Sequence, residues 1–492
     1  MKRSLLILLT FLSLVCLAQK PKSNSSAYLK KLNAELKITR DYIDKQQDNR
    51  LKEFAEFLSL PSISSLPDHA TDVEKAASWL VAKCNSMGFT KAMVAKSSGN
   101  PIVFAEWSKV KGKPTVLIYG HYDVQPVKEE EWTSPPFKAT RKDNRIYARG
   151  AADDKGGIMI AVWAVEALLK NNNEKLPVNV KFLFEGSEEA GSVGLRKFLE
   201  ENKEMLRADF AYNADGGQSS ETEPEIGLGL RGVVPLEFTV KTSEKDLHSG
   251  LYGGKTPNAA KAMAEIISSF YQSDGKVAVN GFYDKVAPIT DAEKEMINKT
   301  PYDAAKEMKQ TGTTADVGDP DYSPLERVWF RPTLEVNGVW GGYTAKDGFS
   351  TIIPGTAHAR ISCRLVADQD AMEIIRLIKQ HIAEHSPAGT EVTYKDFNSF
   401  ASPVKYPTDT KAFQSAYDVL TEIYGKEPRL TGDGGSIAAM GDIKDMLGLY
   451  AYSFGFVLPD ENFHGVDEFI RLSDIRTGQF AYCLLLKYLG AR

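Results

Sequence analysis

Between Thr115 and Asn213, apolar runs of strand length alternate with helix-forming segments, which restricts this part of the chain to an α/β fold on a mostly parallel sheet. Thr115 to Tyr119, Val178 to Phe184 and Asp209 to Asn213 read as strands. Ile158 to Leu169 reads as a helix, apolar on nearly every side and hence buried. Tyr28 to Leu58 repeats apolar residues at helical spacing among many charges, as surface helices do. A chain of 492 residues exceeds one ordinary core, so two domains are expected.

The pattern changes after Arg231-Gly232. Val234 to Val240 reads as a strand and Pro257 to Phe270 as a helix, and a polar, acid-rich insertion runs to about Leu325. Strands at Thr333 to Asn337 and Ala357 to Leu365, a helix at Ala371 to His385 and a strand at Glu391 to Phe397 complete a β-α-β-β-α-β order, which is ferredoxin-like. The α/β pattern resumes near Ser402, with a helix at Thr410 to Tyr424 and a strand at Leu447 to Ser453. The expected organisation is a larger domain in two parts, 19–232 and 399–492, with a smaller α+β domain, 233–398, inserted between them. The larger domain is expected to carry a mostly parallel mixed sheet with helices on both faces.

Residues 1–18 carry an export signal. Lys2 and Arg3 precede an apolar or small-residue run from Leu5 to Val15, and Cys16-Leu17-Ala18 comes before Gln19. This reads as a secretory signal peptide cut after Ala18, too short to span a bilayer comfortably. Lipid attachment at Cys16 is disfavoured because Val15 stands where a small residue is wanted. The expected location is a periplasm or beyond, with no membrane span after signal removal. Cys84, Cys363 and Cys483 are too scattered for a disulfide framework or a metal site and read as small buried hydrophobes. A formal net charge of -5 without a basic stripe argues against nucleic-acid binding.

Four segments that follow strand-like runs end in metal-capable side chains: His121 and Asp123, Asp153 and Asp154, Glu188 and Glu189, and Asp215. Functional groups in open α/β sheets collect outside the carboxyl ends of strands, so four such endings suggest one site at one sheet edge. Taken singly each is weak. Paired acids often form a solvated face, and Asp-Asp before a helix can simply complement its dipole. Together they offer imidazole and carboxylate, which suit zinc. One histidine among many carboxylates is too anionic for a lone zinc but fits two ions sharing a bridge, which can acidify a water and polarise a carbonyl.

The motifs Gly120-His121-Tyr122-Asp123-Val124-Gln125-Pro126, Arg149-Gly150-Ala151-Ala152-Asp153-Asp154-Lys155-Gly156, Glu185-Gly186-Ser187-Glu188-Glu189 and Asp246-Leu247-His248-Ser249-Gly250 occur in this order. In them the chain resembles the dinuclear-zinc exopeptidases: carnosinase-like dipeptidases, aminoacylase, acetylornithine deacetylase and succinyl-diaminopimelate desuccinylase. Gly120 to Pro126 and Trp132 to Phe137 are most similar to the dipeptidase branch. The resemblance implies a zinc exopeptidase-like catalytic domain, an inserted lid and dimerisation domain, two Zn²⁺ per subunit (with Mn²⁺ or Co²⁺ as acceptable substitutes) and small peptide substrates.

It also implies roles. His121 and Asp215 would bind one zinc, Glu189 and His464 the other, and Asp153 would bridge both, followed by a cis peptide. Glu188 would be the general base, and Asp123 would hydrogen-bond His121 and set its tautomer. His248 would act across a homodimer interface on the partner's oxyanion. Arg364, Thr351 and Ser436 would hold the substrate's carboxylate end. Ser350 and Asn398-Ser399-Phe400 depart from the dipeptidase pattern on the substrate side, which puts the residue preference in doubt. Hydrolysis of dipeptides or short peptides is thus expected. A deacylase or desuccinylase with the same metals is the near alternative, and a non-catalytic binding protein the remote one. Motion of the lid about linkers near Arg231 and Asn398 is a further expectation.

His381-Ile382-Ala383-Glu384-His385 fits the His-x-x-Glu-His signature of another metallopeptidase class. It falls at the C-terminal end of an amphipathic helix, where histidines complement the dipole, and is expected to face water. His69 and His358 read as structural.

Overall fold

A computed structural model describes residues 24–397 and 400–491. The export signal expected at 1–18, and Asn398 and Ser399 at the expected second crossing, lie outside the described residues.

The main sheet has six strands in the order Lys91–Ala95, Ile102–Trp107, Asn179–Glu185, Thr115–His121, Phe210–Asn213 and Ala451–Ser453. The last four run parallel, and the first two form an antiparallel hairpin on one edge. Asn179–Glu185 is buried at every position, as a central strand covered on both faces must be. Helix Lys155–Asn171 packs against the sheet and the C-terminal helix Leu472–Gly490. Trp163, Phe184, Tyr482 and Leu485 share this core. Among the described residues no helix is long and apolar enough to cross a membrane.

Thr333–Gly341, Thr356–Leu365, Gly232–Lys241 and Glu391–Asp396 form a separate antiparallel sheet, in that spatial order. With helices Ala259–Ser269 and Ala371–His385 it gives the expected β-α-β-β-α-β arrangement around a second core containing Phe238, Phe270, Ile361 and Ile378. The acid-rich insertion folds into short helices at Asp291–Lys299, Ala304–Thr311 and Pro324–Phe330. Two of these start with capping boxes, Thr290 with Glu293 and Ser323 with Glu326. The crossings meet where Leu230 pairs with Val404 and Val233 bridges Ala401.

Three readings need correction. Arg145–Tyr147, the strand that precedes Asp153, is not part of the main sheet. It lies between Phe469–Arg471 and Thr140–Lys142 in a three-stranded side sheet, so only three of the four acidic segments leave main-sheet strands. Residues 438–447 form a helix, and the strand expected from Leu447 begins only at Ala451. His381 does not face water. It is 4% exposed, with Nε2 3.0 Å from the Ser269 carbonyl oxygen and 3.0 Å from its hydroxyl, and it stacks on His385. A zinc role for the His-x-x-Glu-His run is thereby removed. The three cysteines are free and buried, as expected.

Candidate metal centre

His121 ends the strand Thr115–His121, where it pairs with Glu185 of the neighbouring strand. A Cβ on Gly120 would meet Oδ2 of Asp154 at 2.7 Å, so glycine there lets that carboxylate accept the His121 N–H at 3.2 Å. Likewise, a Cβ on Gly157 would meet Oδ1 of Asp154 at 2.0 Å. The Asp153–Asp154 peptide is cis. Lys155, wholly buried, donates to the carbonyls of Phe57 at 3.1 Å and Leu60 at 2.6 Å. This anchors the start of its helix to the N-terminal helices.

Five side chains from five separate stretches of the chain converge here. Nε2 of His121 lies 2.9 Å from Oδ1 of Asp153, and Nε2 of His464 lies 2.9 Å from Oδ2 of Asp153 and 3.2 Å from Glu189. Donor atoms of His121, Asp153 and Asp215 all fall within 4.8 Å of one another, as do those of Asp153, Glu189 and His464. Two bonds of about 2 Å from a common ion span such a spacing with little adjustment. Each group supplies one imidazole and two carboxylates, and Asp153 belongs to both. The donor chemistry therefore fits two borderline cations better than one.

The charge balance points the same way. Burial, with neighbouring Asp153, pushes the Asp215 carboxyl up to about 7. Burial, with Asp215, Glu185 and Glu189, pushes Glu188 up to about 9 against the opposing pull of His121. Asp153 would also be raised by burial, but hydrogen bonds from His121 and His464 hold it below the ordinary carboxylate range. Hydrogen bonds to Asp153 and Glu189 raise His464 to about 10. Negative charge thus exceeds what the two imidazoles neutralise, and bound cations would bring the raised Asp215, Glu188 and His464 back down.

Asp123 engages more than His121. Nδ1 of His121 lies 3.2 Å from the Asp123 carbonyl oxygen and 3.4 Å from its carboxylate, which accepts the backbone N–H groups of Glu188 at 3.2 Å and Glu189 at 3.0 Å. Sequence reasoning missed Gln125, whose amide donates to Glu189 at 2.7 Å, and the buried pair Arg149 and Glu468. All three stand within the stretches that drew attention to their neighbours, so the motifs were the available signal.

Ala152, Asp153, Glu188, Asp215 and His464 line a cavity of about 690 Å³ together with Ser436, Arg429 and Glu225. Arg364 does not line it but donates to the Ser436 hydroxyl at 2.7 Å, which joins the inserted unit to the returning segment. His248 and Thr351 lie apart from this cavity. Both are exposed on the inserted unit, where the strand Leu247–His248 pairs with Ile352–Ile353 and Ser249 N–H donates to the Thr351 carbonyl.

A sequence model of peptidase family M20/M25/M40 matches residues 117–488. The chain belongs to this family. A cysteinylglycine-S-conjugate dipeptidase of Corynebacterium striatum is 31% identical over 431 residues, 86% of this chain and 92% of that protein. The β-Ala-His dipeptidase of Rattus norvegicus is 28% identical over 421 residues, 80% of this chain and 84% of that protein. Among solved structures, an M20 family metallo-carboxypeptidase from Sulfolobus solfataricus superposes with a TM-score of 0.79 at 33% identity, covering 90% of this chain and 99% of its own. Human carnosine dipeptidase 1 shares the fold, with a TM-score of 0.74 at 24% identity, covering 93% of this chain and 100% of its own. The M20 chain described here is a metallopeptidase that hydrolyses peptide bonds.

Proposed function

We propose that this M20 enzyme hydrolyses dipeptides and short peptides with two zinc ions per subunit. One ion would sit on His121, Asp153 and Asp215, and the other on Asp153, Glu189 and His464. The observation that carries this reading is the sharing of Asp153 by two donor groups beside Glu188 in one cavity. The dipeptidase names of the similar proteins support the substrate class.

Bound there, the cations would acidify a water and polarise the scissile carbonyl. Glu188 takes the proton from the attacking water and returns it to the leaving amine. Its carboxyl, held high by burial and like charge, falls towards the range of a working base as cation charge offsets its neighbours. Asp123 holds the backbone of Glu188 and Glu189 and orients the His121 ring. Ser436, which lines the cavity, with Arg364 bonded to it, would receive the substrate carboxylate, and Thr351 would reach it only with the inserted unit closed over the cavity.

His248, exposed and away from its own chain's cavity, would serve a partner's site in a homodimer. Support comes from exposed apolar side chains on the same unit, Val339, Trp340, Tyr343, Phe349 and Leu251, beside the edge strand Thr333–Gly341. The inserted unit would serve as lid and dimerisation domain. Export is proposed from residues 1–18, and cell fractionation tests it.

Amino-acid release from a dipeptide panel, compared with N-acetyl and N-succinyl amino acids and longer peptides, tests the substrate reading. Dipeptide cleavage well above the acylated compounds is expected. Preference for the acylated compounds would overturn it.

A further inference from the structure

The two loops that bring in Asp153 and His464 come from parts of the chain more than 300 residues apart, and their relative position needs a tie. The side sheet supplies part of it, because Arg145–Tyr147 pairs with Phe469–Arg471 on the flanks of those loops. A single buried ion pair supplies the rest. Oε1 of Glu468 accepts the backbone N–H groups of Ala152 at 2.8 Å and Asp153 at 3.1 Å. Oε2 accepts the Gly150 N–H at 3.0 Å and Nη1 of Arg149 at 2.6 Å. The other arm of the Arg149 fork, Nη2, donates to the carbonyls of His464 at 3.3 Å and Gly465 at 3.0 Å.

The pair therefore holds backbone on both sides: N–H groups of the Asp153 loop through Glu468, and carbonyls of the His464 loop through Arg149. In that second loop Asn462, His464 and Asp467 all have φ between 56° and 62°, a left-handed backbone that asparagine, histidine and aspartate enter more readily than other side chains, though still at a cost. A local backbone in that state persists only when its surroundings fix it. Asp467 is fixed in turn by Thr133, whose N–H and hydroxyl donate to its two carboxylate oxygens at 2.8 and 2.7 Å. The His464 side chain is 56% exposed, so packing around its ring does little to place it.

We infer that Arg149 and Glu468, helped by Thr133 and Asp467, form a clasp that positions His464 for the second cation group. These are positioning residues, since none of them offers a donor atom to either group. The inference rests on the two-cation reading above. It adds that the second site depends on this clasp, whereas His121 and Asp215 are set by main-sheet strands. Lysine at position 149 keeps the charge but cannot reach Glu468 and two carbonyls together, because it lacks the planar fork.

The test is stepwise removal of Zn²⁺ from the loaded full-length protein by a chelator, with the metal remaining counted per chain. Arg149→Lys is expected to keep the first ion and release the second about 10–100-fold more readily than the unaltered protein. Arg50→Lys is the structural control. Arg50 is equally buried and donates to the Trp163 carbonyl, away from both cation groups, and its variant should release both ions as the unaltered protein does. Second-ion affinity within about twofold of the unaltered protein in Arg149→Lys, or equal loss in Arg50→Lys, would overturn the clasp. Should Arg149→Lys fail to fold, Thr133→Val decides: earlier release of the second ion supports the clasp, and unchanged release overturns it. An unaltered protein that holds only one ion would refute the two-cation reading itself, which the variants are not needed to see.

Discussion

Asp153 stands 2.9 Å from the Nε2 atom of His121 through one carboxylate oxygen, and its other oxygen stands 2.9 Å from Nε2 of His464. The first histidine ends a main-sheet strand, and the second belongs to a loop near the C-terminus. A carboxylate that faces one imidazole with each oxygen has the geometry that the proposed pair of cations requires.

Glu188→Gln keeps the size of the side chain and removes the base. The rate at saturating dipeptide should fall about 10²–10⁴-fold, with KM little changed and both cations still bound. Steady-state kinetics beside metal analysis checks this. Near-normal turnover would take Glu188 out of the reaction.

Asp123→Asn replaces a carboxylate that receives two N–H groups and borders Nδ1 of His121. Cation affinity should weaken about 10–100-fold, read by competition with a chelator. Unchanged affinity would show that the ligands hold their positions without it.

His248→Ala and Glu188→Gln should each be nearly inactive alone, yet regain activity when mixed and allowed to exchange subunits. In the proposed dimer, mixing would give one cavity an intact Glu188 together with the partner subunit's His248. No recovery between exchanging subunits would place the action of His248 within its own chain.

Asp474 tests the electrostatics away from the centre. It is buried in the first turn of the last helix, and burial, with Glu461 and Glu221, pushes its carboxyl up to about 8 against Arg471. The folded state therefore binds more protons than the unfolded state between about pH 4 and pH 8, so this group's contribution is present at low pH and lost as pH rises. Asp474→Asn should raise stability by about 1 kcal/mol above pH 8 and change little below pH 4, measured by denaturant unfolding at both. Equal effects at the two pH values would contradict the assignment.

Much of the centre was legible in the sequence because its groups lie at the ends of short apolar strands, and strand periodicity needs no tertiary knowledge. His121, Glu188, Glu189 and Asp215 were all placed in this way. The side sheet was not legible, since Arg145–Tyr147 is only three residues long and pairs with Phe469–Arg471, far along the chain. Nor was the clasp, because Arg149 and Glu468 are 319 positions apart and a pairing over that distance leaves no periodic trace. The helix Ala438–Leu447 was hidden by the glycines at 432, 434, 435 and 441, which suggest a loop. The burial of His381 was readable and misjudged. It follows Ala371, Ile374 and Ile378 on the apolar stripe of its helix, and that spacing outweighs the attraction of the helix end.

The most direct test is a crystal structure of the zinc-loaded enzyme, with anomalous scattering at the zinc edge. Two peaks about 3.5–4 Å apart are expected, one on His121 and Asp215, one on Glu189 and His464, with Asp153 between them. A single peak, or two peaks that do not share Asp153, would contradict the account.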